Sequence, residues 1–243
     1  MGVSVSKKST SATSPGAGSN RTLIIGGIVA AAVLVALVFI ILSSNSISEI
    51  GKANFEGLTQ ERLPDGGFII GDPNAPITII EFADYYCPHC QEYEPTIARI
   101  VNEYVRSGKA RLEFRIFPTA GGATTVYVGN VLVCMEEQKP GVFWQAHNLL
   151  FQNAASGNYS DAMMRQLATD LGVDYAQALA CSQEQDQVAI DKAFGESLGV
   201  SGTPAIRARY ADGVATSLVV EGVAQDRGGP SAAMLIAAIE AAQ

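Results

Sequence analysis

The 243-residue sequence predicts an α/β domain behind a single membrane-spanning helix, with a helical domain inserted into the α/β part. Three observations predict it. From Thr22 to Leu42 runs a segment of 21 uncharged, mostly apolar residues. Over 77–117 a β-branched strand, an amphipathic helix and a second strand follow one another, the order of a right-handed βαβ unit with parallel strands. Residues 121–199 then hold only helical periodicity, before strand-like sequence returns at Ala205.

The N-terminal third reads as three segments. Residues 1–21, rich in Ser, Gly, Thr and Ala, form a disordered cytoplasmic tail. Residues 22–43 form the anchor, since a helix of 21 residues spans about 30 Å, the thickness of a bilayer core. Lys7, Lys8 and Arg21 precede it and acids begin only at Glu49, which places the N-terminus in the cytoplasm and the remainder outside. A cleaved signal peptide is the competing reading, with Ser44 and Ser46 as peptidase-compatible residues, although its apolar region usually runs only about 7–15 residues. No cysteine lies near residue 43, so a lipoprotein anchor is excluded. Residues 44–66 read as a linker ending in the turn signal Pro64-Asp65-Gly66. Residues 67–243 form the domain.

Charge narrows the function. The first 44 residues carry three bases and no acid, leaving 13 bases against 24 acids for the rest. An acidic domain of that kind repels phosphate backbones, so nucleic acid is not the expected partner.

Each element of the domain has its own signal. Gly67–Ile70 is a short strand candidate, and Gly71-Asp72-Pro73-Asn74-Ala75-Pro76 is a turn that two prolines bar from being helical. Ile77-Thr78-Ile79-Ile80-Glu81-Phe82 reads as a central strand buried on both faces. Tyr93, Ile97, Ile100, Val101 and Tyr104 mark one face of a helix over 90–107. Arg111–Phe117 alternates polar and apolar residues as a strand does. Helical runs follow around Val126–Glu137, Val142–Asn153, Asp161–Leu171, Tyr175–Ser182 and Asp186–Leu198. Ala205–Tyr210 and Ser217–Val220 then form a hairpin about Asp212-Gly213, and Ser231 caps a final helix, Ala232–Ala242.

The chemistry centres on Cys87-Pro88-His89-Cys90. A lone C-x-x-C is half of a zinc site, a redox pair or an accident. Structural zinc needs four ligands, and the sequence offers no second pair and only His147 besides His89. No metal or other cofactor is therefore expected. Cys87 follows a buried strand and opens a helix, where unpaired N–H groups and the macrodipole favour a thiolate. Thiols so placed have pKa values lowered to between about 3.5 and 7.5. Pro88 suits the first helical turn because it has no N–H to leave unpaired. His89 adds a donor or a positive charge. Cys90, one turn in, suits a resolving role.

Several motifs in order resemble the bacterial DsbA family of thioredoxin-fold disulfide oxidoreductases, in its membrane-tethered branch. Gly71–Pro76 leads into Ile79-Ile80-Glu81-Phe82-Ala83-Asp84-Tyr85-Tyr86-Cys87-Pro88-His89-Cys90, Phe143-Trp144 precedes Leu149-Leu150-Phe151, and Leu198-Gly199-Val200-Ser201-Gly202-Thr203-Pro204 closes the series. The resemblance covers roughly residues 67–242 and implies a thioredoxin-like fold interrupted by a helical domain at about 121–199. It implies that the Thr203–Pro204 bond is cis and lies beside the dithiol. It implies a buried acid at Glu81 that relays protons to Cys90, the alternative being a strand residue with a salt-bridge partner. It also implies client proteins with cysteines, exported and not yet folded, and a quinone-linked membrane protein that reoxidises the dithiol. One departure is Arg207 and Arg209 in an otherwise apolar strand, read as a solvated, charged face, with client selection as the alternative.

Cys134 and Cys181 lie 47 apart in helical runs. In an exported chain a disulfide between them is the expectation, with two buried free thiols as the alternative. His147 reads as a core or edge histidine and Asp84 as a turn residue. Tyr85, Tyr86 and Tyr93 read as packing, with a client groove as the alternative. The leading function is oxidation of client dithiols outside the cytoplasm. A reductase or isomerase of the same fold, and a tethered binding module or holdase with an incidental dithiol, are the rivals.

Overall fold

The structure, a computed structural model, describes residues 2, 33, 52–154, 159–210, 213–225 and 228–243. The chain divides into two units, Met1–Ile50 and Gly51–Gln243. The tail, the anchor expected at 22–43 and the start of the linker therefore lie outside the described residues, apart from Gly2 and Val33. Asp212 of the expected hairpin turn lies outside them too. Among the described residues, no helix is long and apolar enough to cross a membrane.

The second unit is built on seven strands in the order β1-β2-β4-β3-β5-β6-β7. They are β1 (Gln60–Arg62), β2 (Phe68–Gly71), β3 (Thr78–Ala83), β4 (Arg111–Ile116), β5 (Ala205–Arg209), β6 (Ala215–Val220) and β7 (Val223–Gln225). Every residue of β3 is buried, which is why its sequence is a nearly continuous apolar run. β3 pairs in parallel with β4 and antiparallel with β5, placing Glu81 opposite Phe114 on one side and Ile206 on the other. The connection from β3 to β4 is α1 (Pro88–Ile100), continued by a π-helical turn over Val101–Val105. Between β4 and β5 come α2 (Ala123–Gln138), α3 (Val142–Ala154), α4 (Asp161–Leu171), α5 (Tyr175–Ser182) and α6 (Gln187–Ser197). The last helix, α7 (Ala232–Ala241), is capped by the Ser231 hydroxyl, which accepts from the Met234 amide at 3.3 Å, and packs on α1 and β6.

Successive side chains of a strand point to opposite faces. Ile79 therefore joins the large core with Cys90, Tyr93 and the helical insert. Ile80 and Phe82 join a smaller one with Phe117, Val200 and Ala205.

The structure corrects two expectations, on the linker and on the β5 arginines. Residues 52–66 are not all linker: Ala53 and Phe55 are buried in the large core, and Gln60–Arg62 pairs with β2. Two apolar side chains and a three-residue strand are too short to show a period.

The polar members of β4 are not solvated. Arg115 is fully buried and donates to Glu113 at 2.8 Å, to Asp191 of α6 at 3.0 Å and to both Asp65 oxygens. Burial opposes charge on Asp65 and Asp191 alike. At Asp65 the Arg115 hydrogen bond and charge outweigh it and hold the carboxyl low, whereas at Asp191 burial wins and pushes the carboxyl up to about 6.

The β5 arginines do not form a solvated face either. Arg207 is 1% exposed and donates to the carbonyls of Leu198 and Ile206, and Leu198 is the C-cap of α6. A cation at a helix C-terminus is favoured by the exposed carbonyls and the macrodipole. Arg209 pairs with Glu113 at 3.0 Å.

Candidate active site

β3 ends at Ala83, and the turn that follows hands the chain to α1. The Asp84 carbonyl accepts the Cys87 amide at 2.9 Å, and the Cys87 carbonyl accepts those of Cys90 and Gln91 at 3.0 and 3.1 Å. Cys87 is thus the N-cap of α1, in extended conformation, with Pro88 inside the first turn. The residue thus stands at the positive end of the helix, although its side chain makes no capping hydrogen bond.

Both thiols are free. Cys87 retains 6% exposure, while Cys90 beneath it has none. Opposite them lies the loop before β5, whose Thr203–Pro204 bond is cis. The Cys87 thiol is 3.5 Å from the Thr203 carbonyl oxygen. His89 is exposed at the surface of the same turn, its Nδ1 3.4 Å from a Glu92 oxygen. A cleft of about 360 Å³ opens beside the pair, lined by His89, Tyr93, Thr203, Pro204 and Gly229 among others. Tyr93 therefore meets both of its readings: it is packed, with its hydroxyl on the Pro230 carbonyl, and it also lines this cleft.

The ground beneath the dithiol is acidic and buried. Burial drives the Cys90 thiol strongly upward. The Asp84 backbone and the Thr203 hydroxyl oppose that shift by hydrogen bonding, and Cys87 and Glu81 add to it. Glu81 is fully buried and neither of its oxygens has a hydrogen-bond partner among the described residues, so the salt-bridged alternative does not hold there. Burial, and then the charge of Glu94 on α1, hold the Glu81 carboxyl well above the usual carboxylate range. Both Glu94 oxygens are likewise buried without a hydrogen bond, and one lies 3.8 Å from Nε2 of His147. The other ring nitrogen of His147 is 3.3 Å from the buried Tyr85 hydroxyl, in a nest of rings that includes Phe55, Phe114, Trp144 and Phe151.

Asp84 is far more than a turn residue. Oδ1 accepts from the Tyr86 amide at 2.9 Å and the Thr125 hydroxyl at 2.6 Å. Oδ2 accepts from the amides of Thr119 and Gly121 at 2.7 and 3.0 Å and lies 3.2 Å from the Thr119 hydroxyl. The Thr119 hydroxyl in turn is 2.6 Å from that of Thr203. One carboxylate thus ties together the dithiol turn, the start of the helical insert and the Thr203 loop. Sequence reasoning missed Thr119, Glu94 and this role of Asp84. The only local signal was an uncompensated acid at the end of a buried strand.

Cys134 of α2 and Cys181 of α5 are joined in a disulfide with Cα atoms 6.0 Å apart. They and Glu137 offer three ligand-type atoms within 4.8 Å, but both sulfurs are committed to each other.

A sheet with a helical insert between β4 and β5, a C-x-x-C at a helix start and a cis-proline loop facing it define a thioredoxin-fold protein with a DsbA-like insert. A family model described as thioredoxin matches residues 64–213, and the chain belongs to that family. A probable disulfide bond formation protein D of Bacillus cereus is 28% identical over 137 residues, 56% of this chain and 60% of that protein. A Na(+)/H(+) antiporter NhaA 3 of Salinispora tropica is also 28% identical, over 58% of this chain but only 21% of its own length. The chain thus spans less than two thirds of either relative. Among solved structures, Wolbachia pipientis alpha-DsbA1 aligns over 74% of this chain and 91% of its own, with a TM-score of 0.56 and 21% identity, a likeness of fold.

Proposed function

We propose that the protein is a thiol–disulfide oxidoreductase that oxidises cysteine pairs in exported, incompletely folded proteins. The observation that carries this reading is the placement of Cys87. It caps α1, keeps the only exposure of the pair, and sits 3.5 Å from a backbone carbonyl that borders an open cleft. In the oxidised form a client thiolate attacks Sγ of Cys87. The Cys87–Cys90 bond breaks and its electron pair leaves on Cys90. A second client thiolate then attacks the client sulfur of the mixed disulfide, forming the client disulfide and releasing Cys87 as a thiolate. Two electrons have passed from client to enzyme; the client's two protons go to solvent, and the Cys90 thiolate takes one up. An extended client beside the Thr203 backbone edge would be held by main-chain pairing.

The direction rests on electrostatics at the helix start. A helix N-terminus favours a thiolate, a thiolate so favoured stabilises the reduced form of a dithiol, and each 1.4 kcal/mol of that makes a pair more oxidising by about 30 mV. Pro88 and His89 support it by shaping and polarising the turn. Glu81, a buried acid whose charge acts on Cys90, would relay protons to and from that thiol. Turnover then needs a reoxidant, for which a quinone-linked membrane protein is the class we favour. The apolar run at 22–43 would hold the domain at the outer face of a membrane, and the Cys134–Cys181 bond suits such a compartment, where disulfides persist. The test is trapping: with Cys90→Ala, a reduced client offered to the oxidant-treated protein should accumulate as a Cys87 mixed disulfide on a non-reducing gel. Absence of any Cys87 adduct would sink the assignment.

A further inference from the structure

A client main chain pairs well only with a backbone edge that is held in place. Beside the dithiol, regular secondary structure does not hold it: Ser201, Gly202 and Thr203 lie between α6 and β5, in neither helix nor strand. Side chains do so instead, in a closed ring of contacts. The Cys87 amide donates to the Asp84 carbonyl at 2.9 Å. The Asp84 carboxylate accepts the Thr119 amide at 2.7 Å and the Thr119 hydroxyl at 3.2 Å. The Thr119 and Thr203 hydroxyls are 2.6 Å apart, and the Thr203 carbonyl returns to the Cys87 sulfur at 3.5 Å. A carboxylate only accepts, so Thr119 gives its proton to Asp84 and receives that of Thr203.

We propose that Thr119 is a positioning residue that makes the site prefer an extended polypeptide to a small thiol, because it fixes the Thr203 carbonyl beside Cys87 from the anchor of Asp84. The proposal rests on Cys87 and Cys90 being the exchanging dithiol and deepens that reading by naming what the site selects.

Asp84 is suited to be the anchor. It is fully buried and is held independently by the Tyr86 and Gly121 amides and the Thr125 hydroxyl. The same residue thus fixes the turn that carries the Cys87 sulfur and, through Thr119, the loop that carries the Thr203 carbonyl. Thr119 itself is exposed. It lines a cleft of about 520 Å³ with Val200 and Ser201, whereas Thr203 lines the cleft of about 360 Å³ beside the dithiol. The bonded hydroxyls therefore join the walls of two clefts at the surface a client meets. A polypeptide that bonds to Cys87 and pairs with the Thr203 carbonyl needs both atoms at a set separation. A small thiol needs the sulfur alone.

The test uses the full chain in its oxidised form, with Thr119→Val, which removes the hydroxyl at nearly constant shape, and Thr119→Ser, which keeps it. Two reductants are compared by second-order rate constant: a peptide carrying a cysteine pair, and dithiothreitol, which has no amide. The expected result is that the peptide-to-dithiothreitol ratio falls about fivefold in Thr119→Val, or about 1 kcal/mol, the net worth of one hydrogen bond. Thr119→Ser restores the ratio, and the Cys87–Cys90 midpoint stays in place in both variants. A peptide N-methylated at the amides flanking its cysteines is already slow with the parent and loses little more in Thr119→Val. An unchanged ratio, a loss that Thr119→Ser fails to restore, a midpoint shift that accounts for the slowing, or an equal further loss on the methylated peptide would each overturn the proposal. Failure of the dithiol reading shows differently, as no exchange at Cys87 with either reductant in the unmodified protein.

Discussion

The molecule carries two cysteine pairs, and almost everything about their surroundings differs. Cys87 and Cys90 are three apart, straddle the start of α1 and remain free thiols. Around them stand a buried acid with no hydrogen bond among the described residues and a backbone carbonyl at 3.5 Å. Cys134 and Cys181 are 47 apart, bond two helices of the insert, and close a loop. Glu137 lies 3.7 Å from the Cys181 sulfur, a position that disfavours a thiolate. The lesson is that reactivity comes from what faces the sulfur. On the proposed function, a helix N-terminus and an open cleft make one pair exchangeable, while interhelical packing and an adjacent carboxylate make the other a staple.

The largest expected effect separates the two pairs by activity. Cys87→Ala should abolish client oxidation, whereas Cys134→Ala combined with Cys181→Ala should retain it, as measured by recovery of a reduced test protein. Loss of exchange in the double variant at full folding would break the comparison.

Stability should show the opposite pattern. Arg115→Met leaves Asp65, Glu113 and Asp191 facing one another without the guanidinium that joins β4 to α6. Removing one partner of a buried charge cluster costs about 3–5 kcal/mol, readable by denaturant titration. The Cys134/Cys181 double variant should lose about 2–4 kcal/mol, with the chain-entropy estimate for this loop at the upper end. Neither should move the Cys87–Cys90 midpoint.

The smallest effect concerns Glu81. The folded protein keeps its proton at pH values where the unfolded chain, with an ordinary carboxylate near 4.5, has already lost it. Stability therefore falls as pH rises from there toward the folded value. Glu81→Gln removes that fall, so the variant should gain on the parent by up to about 1.4 kcal/mol per pH unit above the ordinary value. Parallel stability curves would show that Glu81 is not held protonated.

Local pattern made much of this architecture legible. The run over Val142–Asn153 is a helix over Val142–Ala154, and those over 161–171 and 175–182 match in both bounds. The strand read over Ile77–Phe82 is the buried central strand Thr78–Ala83, shifted by one residue, and its short, β-branched, nearly apolar run between turn signals is what made it legible. What stayed hidden was the pairing of polar groups far apart in sequence. Alternation in β4 looks identical whether Arg115 faces water or an aspartate 76 positions away. Arg207 read as solvated because its acceptors are main-chain carbonyls, which no residue type announces. Asp84 read as a turn residue because its donors lie 35–41 positions further on. The Cys87–Cys90 motif was legible because strand, thiol and helix start are contiguous.

The most direct test of the account is the redox midpoint of each pair measured separately. The protein would be equilibrated in graded thiol buffers, alkylated, and mapped peptide by peptide for Cys87, Cys134 and Cys181. The account predicts a Cys87–Cys90 midpoint near the oxidising end, about −120 mV, and a Cys134–Cys181 bond that resists reduction to below roughly −300 mV. A Cys87–Cys90 midpoint near about −270 mV would reverse the direction of catalysis, and the two pairs titrating together would contradict the division between exchangeable pair and staple.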